Sequence, residues 1–208
     1  MTVDSQIALD GPCQECGLEF VRGSRSDERL HKNYHDKTVN GHKTKLPPGC
    51  HVVTHRSAIS LQRLTEWAAS EARYETKYDF SSFNAVKKSF DEDETIAVIS
   101  VMDGRVIALI VTRERECNWK ANLDDFSEDH LSYWRPTGGN KTPRKRRRAV
   151  DMIWVLRGKR GQGEAGRIVQ ALVDYCQLSV DDLAHLTPLQ GNAKRVWEKL
   201  GISTVYLA

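Results

Sequence analysis

The chain contains 208 residues, of which 39% are hydrophobic and 8% aromatic, and its 31 Lys and Arg against 28 Asp and Glu give a formal net charge of +3. This composition can fill a globular core and excludes disordered and collagen-like classes of protein. No apolar run approaches the roughly 20 residues that span a bilayer, and the N-terminus lacks the pattern of a secretory signal, so we expect an intracellular protein with no membrane partner.

The N-terminal segment carries the ligand pattern of a zinc finger. Cys13 and Cys16 are followed by His31 and His35, with the spacing C-x2-C-x14-H-x3-H. Two thiolates on a tight turn and two imidazoles one helical turn apart can surround one Zn²⁺ tetrahedrally, and so small a module does not fold without its metal. The sequence therefore predicts structural Zn²⁺ on these four residues. Three further histidines are alternatives to His35 as the fourth ligand: His42, His51 and His55.

The finger is predicted to span residues 13–46, after an N-terminal tail at 1–12, with a helix at about 27–39. Phe20, Leu30 and Tyr34 are expected to close over the metal. The helix has three acidic and three basic residues, whereas a helix that reads DNA exposes Arg, Lys, Asn or Gln. We therefore expect the finger to serve structure or partner docking. A redox-active C-x-x-C pair is the other interpretation, but the strand-to-helix context that it needs is missing here.

Residues 47–208 follow the pattern of a single α+β domain. Apolar residues alternate in the predicted strands and recur with a period of 3.6 in the predicted helices. The first predicted elements in chain order are a strand at 49–56, a helix at 58–75, a second amphipathic segment at about 82–90 and a hairpin at 95–116 that turns at Asp103-Gly104. They are followed by a strand at 149–156, a helix after a glycine-rich turn, a short strand at 183–186, a helix ended by Gly201 and a last strand.

Between the hairpin and the strand at 149–156, the segment 117–148 is polar, and we predict a long loop with a role over a substrate site. It ends in KTPRKRRR (Lys141–Arg148), which holds six cationic side chains and leaves the rest of the chain net negative. Such a cluster is typical of a solvated loop, a localisation signal or a patch that docks an acidic partner. In a eukaryotic source it predicts a nuclear protein, and in a prokaryotic or viral source a cytoplasmic one.

The glycine-rich turn RGKRGQGEAG (Arg157–Gly166) joins a predicted strand to a predicted helix. Backbone N–H groups in such a turn, with the positive end of the helix dipole, bind phosphate. The turn lacks the G-K-[ST] of nucleoside triphosphatases, and its place after a late strand of a mixed sheet disfavours a dinucleotide fold. Arg160-x-x-Gly163-x-Ala165 instead resembles the signature with which the GNAT acetyltransferase superfamily binds the pyrophosphate of acetyl-CoA.

Nearly the whole chain resembles the sister-chromatid cohesion (establishment-of-cohesion) acetyltransferase family. The similar segments, besides the cofactor turn, are C-x-x-C-G-x-x-F at Cys13–Phe20, D-E-x-x-H-x-x-Y-H at Asp27–His35, I-W-V at Ile153–Val155 and G-x-x-x-V-Y at Gly201–Tyr206. The resemblance implies a GNAT fold, with a mixed and mostly antiparallel sheet, preceded by a zinc finger. It also implies acetyl-CoA as cosubstrate and, as acceptor, a protein lysine ε-amine on a chromosomal cohesin-like complex. The finger and the basic segment add DNA or DNA-associated proteins as candidate partners.

The resemblance assigns the cofactor site residue by residue. In the superfamily a backbone N–H on the strand before the turn polarises the thioester carbonyl, which here points to Val155 or Leu156. The cofactor-binding candidates are Val155, Leu156, Arg160, Gly161, Gly163, Ala165 and Gly166.

The catalytic candidates lie where the chain departs from the family. Asp151 replaces a family serine and is the first candidate for the general base, with the same strand parity as Ile153 and Val155; a structural hydrogen-bond acceptor is its alternative. His185 is the second candidate, with an ordinary buried histidine as its alternative. Thr187 occupies the position of the family's catalytic aspartate. Trp197 stands where many GNAT enzymes have a tyrosine.

Two other functions fit the same sequence. The first is a zinc-finger nucleic-acid-binding protein with a non-catalytic GNAT-like domain, which would bind DNA with a steep dependence on salt and would not bind coenzyme A. The second is a GNAT enzyme that acts on a small amine or another non-cohesin acceptor.

Overall fold

The computed structural model describes residues 11–76, 95–128, 133–186 and 189–208. The helices of this part are α1 (Arg25–Asn40), α2 (Ile59–Thr76), α3 (Glu164–Cys176) and α4 (Gly191–Lys199). Its strands are β1 (His42–Lys43), β2 (Gly49–Val53), β3 (Ile96–Met102), β4 (Arg105–Asn122), β5 (Phe126–Glu128), β6 (Tyr133–Pro136), β7 (Asn140–Val155), β8 (Ala184–His185), β9 (Leu189–Gln190) and β10 (Thr204–Leu207). These elements confirm the predicted α+β class. The predicted tail at 1–12 lies outside the described residues except for its last two, and so does the whole amphipathic segment predicted at about 82–90.

A seven-stranded sheet forms the centre, in the order β10-β8-β7-β4-β3-β2, with β1 paired to the start of β4. Strands β2, β3, β4 and β7 are antiparallel neighbours, whereas β8 is parallel to both β7 and β10. The predicted hairpin is confirmed as β3 and β4. Asp103 and Gly104 have φ of 51° and 68°, the left-handed pair that a two-residue turn between twisted strands requires. Strands β5, β6 and β9 form a separate small sheet.

The central sheet separates two apolar cores, because successive side chains of β3 and β4 point to opposite faces. One face is covered by α3 and α4, with Ile168, Val169, Leu172, Val173 and Trp197 buried. The other face is covered by α2, whose Ala68, Ala69 and Ala72 are buried against the sheet. Within the described ranges, no helix is both long and apolar enough to cross a membrane.

The prediction of a loop at 117–148 is wrong for the described residues of that range, most of which form strands. Strands β4 and β7 continue to pair as far as Lys120 and Asn140, and β5 and β6 follow. Glu114 faces Arg148 across the ladder, with Glu114 Oε1 2.8 Å from Arg148 Nη2, and Arg144 pairs with Glu116. Cross-strand charge pairs can stabilise a two-stranded ribbon that lacks alternating apolar residues. The hydrophobic periodicity of the sequence therefore does not predict these strands. The basic cluster KTPRKRRR is therefore part of a paired strand.

The finger joins the rest of the molecule through the start of β4. β1 pairs with Arg105 and Val106, and the Arg105 guanidinium donates to Asp36 Oδ1 and to the Gly41 carbonyl, both at 2.8 Å. The His42 ring lies 4.9 Å from the ring of Trp67 on α2. The helix, strand and aromatic contacts together fix the finger on the same side of the sheet as α2.

Candidate functional site

The four predicted zinc ligands come together beside the middle of α1, which carries His31 and His35. One ligand atom from each of Cys13, Cys16, His31 and His35 lies within 4.8 Å of the others, and Cys13 Sγ is 3.5 Å from His35 Nδ1. The thiols are presented by a tight turn in which the Gly17 N–H donates to the Cys13 carbonyl at 2.7 Å. Two thiols and two imidazoles gathered in this way fit a structural Zn²⁺ site.

Neighbouring side chains orient these ligands. Phe20 stacks on His31 with ring centroids 3.8 Å apart, and His35 Nε2 lies 3.1 Å from a carboxylate oxygen of Glu15, a contact that leaves Nδ1 to face the thiols. Backbone N–H groups of Cys16 and then Glu15 lower the pKa of the Cys13 thiol to about 6, which favours the thiolate that binds metal. Leu30, which was expected to close over the metal, is instead 62% exposed.

The glycine-rich turn leaves the end of β7, passes through one 3-10 turn (Arg157–Lys159) and enters α3. Gly161 and Gly163 have φ of 80° and 85°, a conformation that L side chains rarely adopt. A cavity of about 470 Å³ opens beside this turn. Its lining includes six of the seven predicted cofactor residues: Val155, Arg160, Gly161, Gly163, Ala165 and Gly166.

The cavity also borders the open side of β7. In the described chain, β7 pairs with β8 only at Ala149 and Val150, so the strand is unpaired on that side from residue 151 onwards. The Leu156 N–H donates to the Ile107 carbonyl at 2.8 Å. Because hydrogen-bonded and open pairs alternate along an antiparallel ladder, the N–H groups of Ile153 and Val155 point away from β4. Of the two amides predicted to polarise a thioester, Val155 is thus available and Leu156 is not.

Asp151 lies where β7 leaves β8. The register of β7 against β4 shifts at this residue, since Val111 pairs with Met152 and Thr112 with Val150, so Asp151 is a β-bulge. The bulge breaks the strand parity that the sequence predicted between Asp151 and Ile153. The Asp151 side chain is 5% exposed, with Oδ2 3.4 Å from Arg113 Nε and 3.9 Å from Arg115 Nη2.

Burial raises the pKa of the Asp151 carboxyl above its usual value, and the nearby Arg113, Arg115 and Arg148 guanidinium groups act in the opposite direction. Within the described ranges neither carboxylate oxygen has a hydrogen-bond partner. A buried carboxyl held only by ion pairs keeps lone pairs available to accept a proton.

Comparisons with known proteins bear on both parts of the chain. Residues 4–37 match the family model for the zinc finger of the acetyltransferase ESCO. The chain is similar in structure to the xEco2 acetyltransferase domain bound to a CoA conjugate, with a TM-score of 0.58 and 14% identity over 79% of this chain and 95% of that one. A second structure of the xEco2 domain gives a TM-score of 0.57 and 15% identity over 79% and 93% of the two chains.

A third similar structure is a ribosomal-protein-alanine N-acetyltransferase from Brucella melitensis biovar Abortus 2308, with a TM-score of 0.45 and 14% identity over 73% of this chain and 89% of that one. No curated protein sequence matches the chain.

The chain joins an ESCO-type zinc finger to a GNAT fold.

In this fold the remaining candidates occupy different surroundings. His185 is 2% exposed, its ring lies 4.3 Å from that of Trp197, and burial lowers its pKa to about 3. Trp197 is itself 1% exposed. The residues that line the 470 Å³ cavity include none of the three, Asp151, His185 or Trp197, although Ile153, two residues after Asp151 on β7, does line it. Such an imidazole is neutral at pH 7 but a weak base. Thr187 lies outside the described residues.

Two glutamates beside the glycine-rich turn were not predicted from the sequence. Glu75 at the end of α2 accepts from Arg160 Nη2 at 2.5 Å. Glu164, the first residue of α3, is 1% exposed, accepts from the Ser100 hydroxyl at 2.9 Å and pairs with Arg167. Except for the i,i+3 pair of Glu164 with Arg167, the partners of these two residues come from distant segments of the chain, so local spacing does not mark them.

Proposed function

We propose that this protein is an acetyl-CoA-dependent N-acetyltransferase that modifies a protein lysine ε-amine. The observation that carries the proposal is the coincidence of the glycine-rich turn, the start of α3 and the unpaired side of β7 around one cavity of about 470 Å³. This geometry offers phosphate-binding amides at one end and an exposed strand edge at the other. The GNAT fold and the ESCO finger model are consistent with that use.

The charges around the cavity suit an anionic cofactor. Four cationic side chains line it: Lys159, Arg160, Arg195 and Lys199. The N-terminus of α3 adds the positive end of a helix dipole and N–H groups without helical acceptors. We expect these groups to hold the phosphates of coenzyme A, while Val155 and Ile153 offer N–H groups along the strand edge.

Asp151 is the proposed general base. Bound acetyl-CoA supplies an activated acetyl group whose thioester carbonyl carbon is attacked by the acceptor nitrogen. A lysine with a pKa near 10.4 is mostly protonated at pH 7, so an Asp151 oxygen takes one proton from the ammonium group, directly or through one water, before the amine attacks. As the new C–N bond forms and the C–S bond breaks, coenzyme A leaves as a thiolate that takes the second proton released by the nitrogen. The Val155 N–H stabilises the charge that develops on the carbonyl oxygen.

The zinc finger supports an inference about the protein that accepts the acetyl group. Because its model belongs to the acetyltransferase ESCO, we infer a chromosomal protein substrate of the cohesin type, and a nuclear location in a eukaryotic source. The alternative acceptors, a small amine or a different protein amine, lack a specific observation in their favour.

Binding and turnover test this function together. Calorimetry with acetyl-CoA should show one site per chain, and a Gly163→Glu variant should lose it because a carboxylate would enter the phosphate pocket. Gly201→Glu is the matched control, since Gly201 also has a positive φ, of +77°, a Cβ there meets no atom within 4 Å, and Gly201 does not line the cavity. Mass spectrometry of lysine peptides should then detect acetylation. An absence of acetyl-CoA binding by the wild-type protein would refute the proposal.

A further inference from the structure

Glu75 connects the last turn of α2 with the cofactor turn. Its Oε1 accepts from Arg160 Nη2 at 2.5 Å, and its Oε2 accepts from the Trp154 indole Nε1 at 2.8 Å. Arg160 also donates through Nε to the Val155 carbonyl at 3.0 Å. The guanidinium is therefore held on two sides beside the cavity, and its remaining N–H donors are left for a ligand.

The carboxylate is itself held in place from the opposite side. Trp154 is 4% exposed and meets Trp67 edge to face at 6.4 Å, so its indole N–H is fixed by packing. Tyr74, the residue before Glu75, packs edge to face against Tyr34 of the finger helix, with the two ring centroids 6.3 Å apart. The last turn of α2 is thus fixed by the sheet and by the finger before it reaches Arg160.

We propose that Glu75 is a positioning residue for the cofactor: it holds Arg160 in the orientation that binds a phosphate of coenzyme A. The proposal rests on the proposed function, because Arg160 needs this orientation only if the turn binds that cofactor. Glu75 has two opposing effects on an anionic ligand. Its charge repels the phosphates, whereas its hydrogen bonds remove the cost of ordering a long arginine side chain when the ligand binds.

For the affinity, the ordering of Arg160 by Glu75 outweighs the repulsion between the Glu75 charge and the phosphates, for two reasons. The Glu75 charge is already paired with Arg160, and at 31% exposure its field is partly screened by water. Immobilising one flexible side chain on binding is worth about a two- to tenfold change in affinity. We therefore expect loss of Glu75 to weaken the binding of acetyl-CoA even though it removes a negative charge.

Calorimetry on the full chain tests the proposal with acetyl-CoA as the probe. Glu75→Ala should raise Kd by about two- to tenfold. Glu75→Gln should lie closer to the wild type, because the amide oxygen still accepts one of the two hydrogen bonds. The matched control is Glu71→Ala, one turn earlier on α2, which removes the same charge from a residue that interacts with Glu75 and Lys37. In turnover assays, KM for acetyl-CoA should rise in Glu75→Ala and kcat at saturation should stay unchanged.

A double-mutant cycle separates positioning from general damage. In an Arg160→Ala background, Glu75→Ala should weaken binding no further, because no guanidinium remains to be oriented. Equal losses in both backgrounds, or a Glu75→Ala protein that binds as tightly as or more tightly than the wild type, would overturn the proposal. Should Glu75→Ala fold poorly, as judged by thermal unfolding, the Glu75→Gln and Glu71→Ala affinities decide: positioning requires Glu75→Gln to bind more weakly than Glu71→Ala. A wild-type protein that does not bind acetyl-CoA would instead refute the proposed function.

Discussion

The carboxyl of Asp151 is subject to two opposing effects. Burial removes water from the charged form and raises its pKa, while Arg113 and Arg115 stabilise that form and lower it. The net shift is upward. A base with a pKa above that of an exposed aspartate accepts a proton more readily.

This electrostatic balance predicts the acidic side of the pH profile. The base must be ionised to act, so kcat should fall as the pH is lowered through the pKa of Asp151, at a higher pH than for an ordinary aspartate. Arg113→Met should move this fall to still higher pH, because it removes a charge that lowers the pKa. Asp151→Asn should reduce kcat by about 10²- to 10⁴-fold. The measurement is kcat from pH 5 to 9 at saturating acetyl-CoA.

Acetyl-CoA affinity is the control for this series, and calorimetry should give similar Kd values for the wild type and Asp151→Asn. A wild-type kcat in Asp151→Asn would show that Asp151 is a structural residue. An acidic limb that stays in place in Arg113→Met would exclude it as the titrating group.

Single residues differ in how far the sequence reveals them. Cys13 and His35 could be predicted as ligands because ligand spacing on a turn and a helix is a local property. The bulge at Asp151 and the hydrogen bond between Glu75 and Arg160 could not, because each depends on how distant strands and helices align. The sequence also could not show that the Leu156 N–H donates to the Ile107 carbonyl on another strand.

At the scale of elements, the junction between α1 and β1 depends on Gly41. Its φ is +87°, and a Cβ there would lie 2.3 Å from the Val106 carbonyl oxygen. Only glycine therefore allows β1 to approach β4 at this point. Gly23, before α1, has a similar φ of +84°, but a Cβ there meets no atom within 4 Å.

These two glycines form a matched pair for mutation. Gly23→Ala should cost about 1 kcal/mol from its left-handed backbone alone. Gly41→Ala adds the clash with Val106 and should lower the free energy of unfolding by about 3 kcal/mol. Chemical denaturation of both variants measures the difference. Equal losses would mean that the finger does not depend on close approach to β4.

The ribbon of β4 and β7 shows where element prediction fails. The sequence of β3 predicts a strand because its apolar residues are β-branched and lie beside a turn signal. The outer half of β7 is basic and proline-containing, and it forms a strand because Glu114 and Glu116 on β4 pair with its arginines. Charge pairing between strands leaves no periodic signal in either strand alone.

At the scale of the molecule, the finger depends on its metal more than on a core. Helix α1 has no buried residue, so apolar burial contributes little to its stability. The four ligands and Zn²⁺ must supply most of it. The domain beyond the finger has its own cores on both faces of the sheet.

Metal removal should therefore act unequally on the two parts. A strong chelator should abolish the ellipticity of about one 16-residue helix, the length of α1, while the signal of the central sheet persists. Circular dichroism together with zinc content measures this. Cys16→Ser should lose zinc and the helix, and Cys50→Ser, on β2 away from the finger, should keep both. A full helical signal after proven loss of zinc would contradict this dependence.

The sequence by itself determined the zinc ligands, the order of most helices and strands, the glycine-rich turn and, through family resemblance, the GNAT fold. These features are encoded by short-range spacing and by local conformational preference, so they can be predicted without the tertiary fold. Only the tertiary structure decided the bulge at Asp151, the burial of His185, the charged ribbon of β7 and the link between Glu75 and Arg160. Each of these depends on contacts between segments far apart in the chain, whose geometry is set by packing.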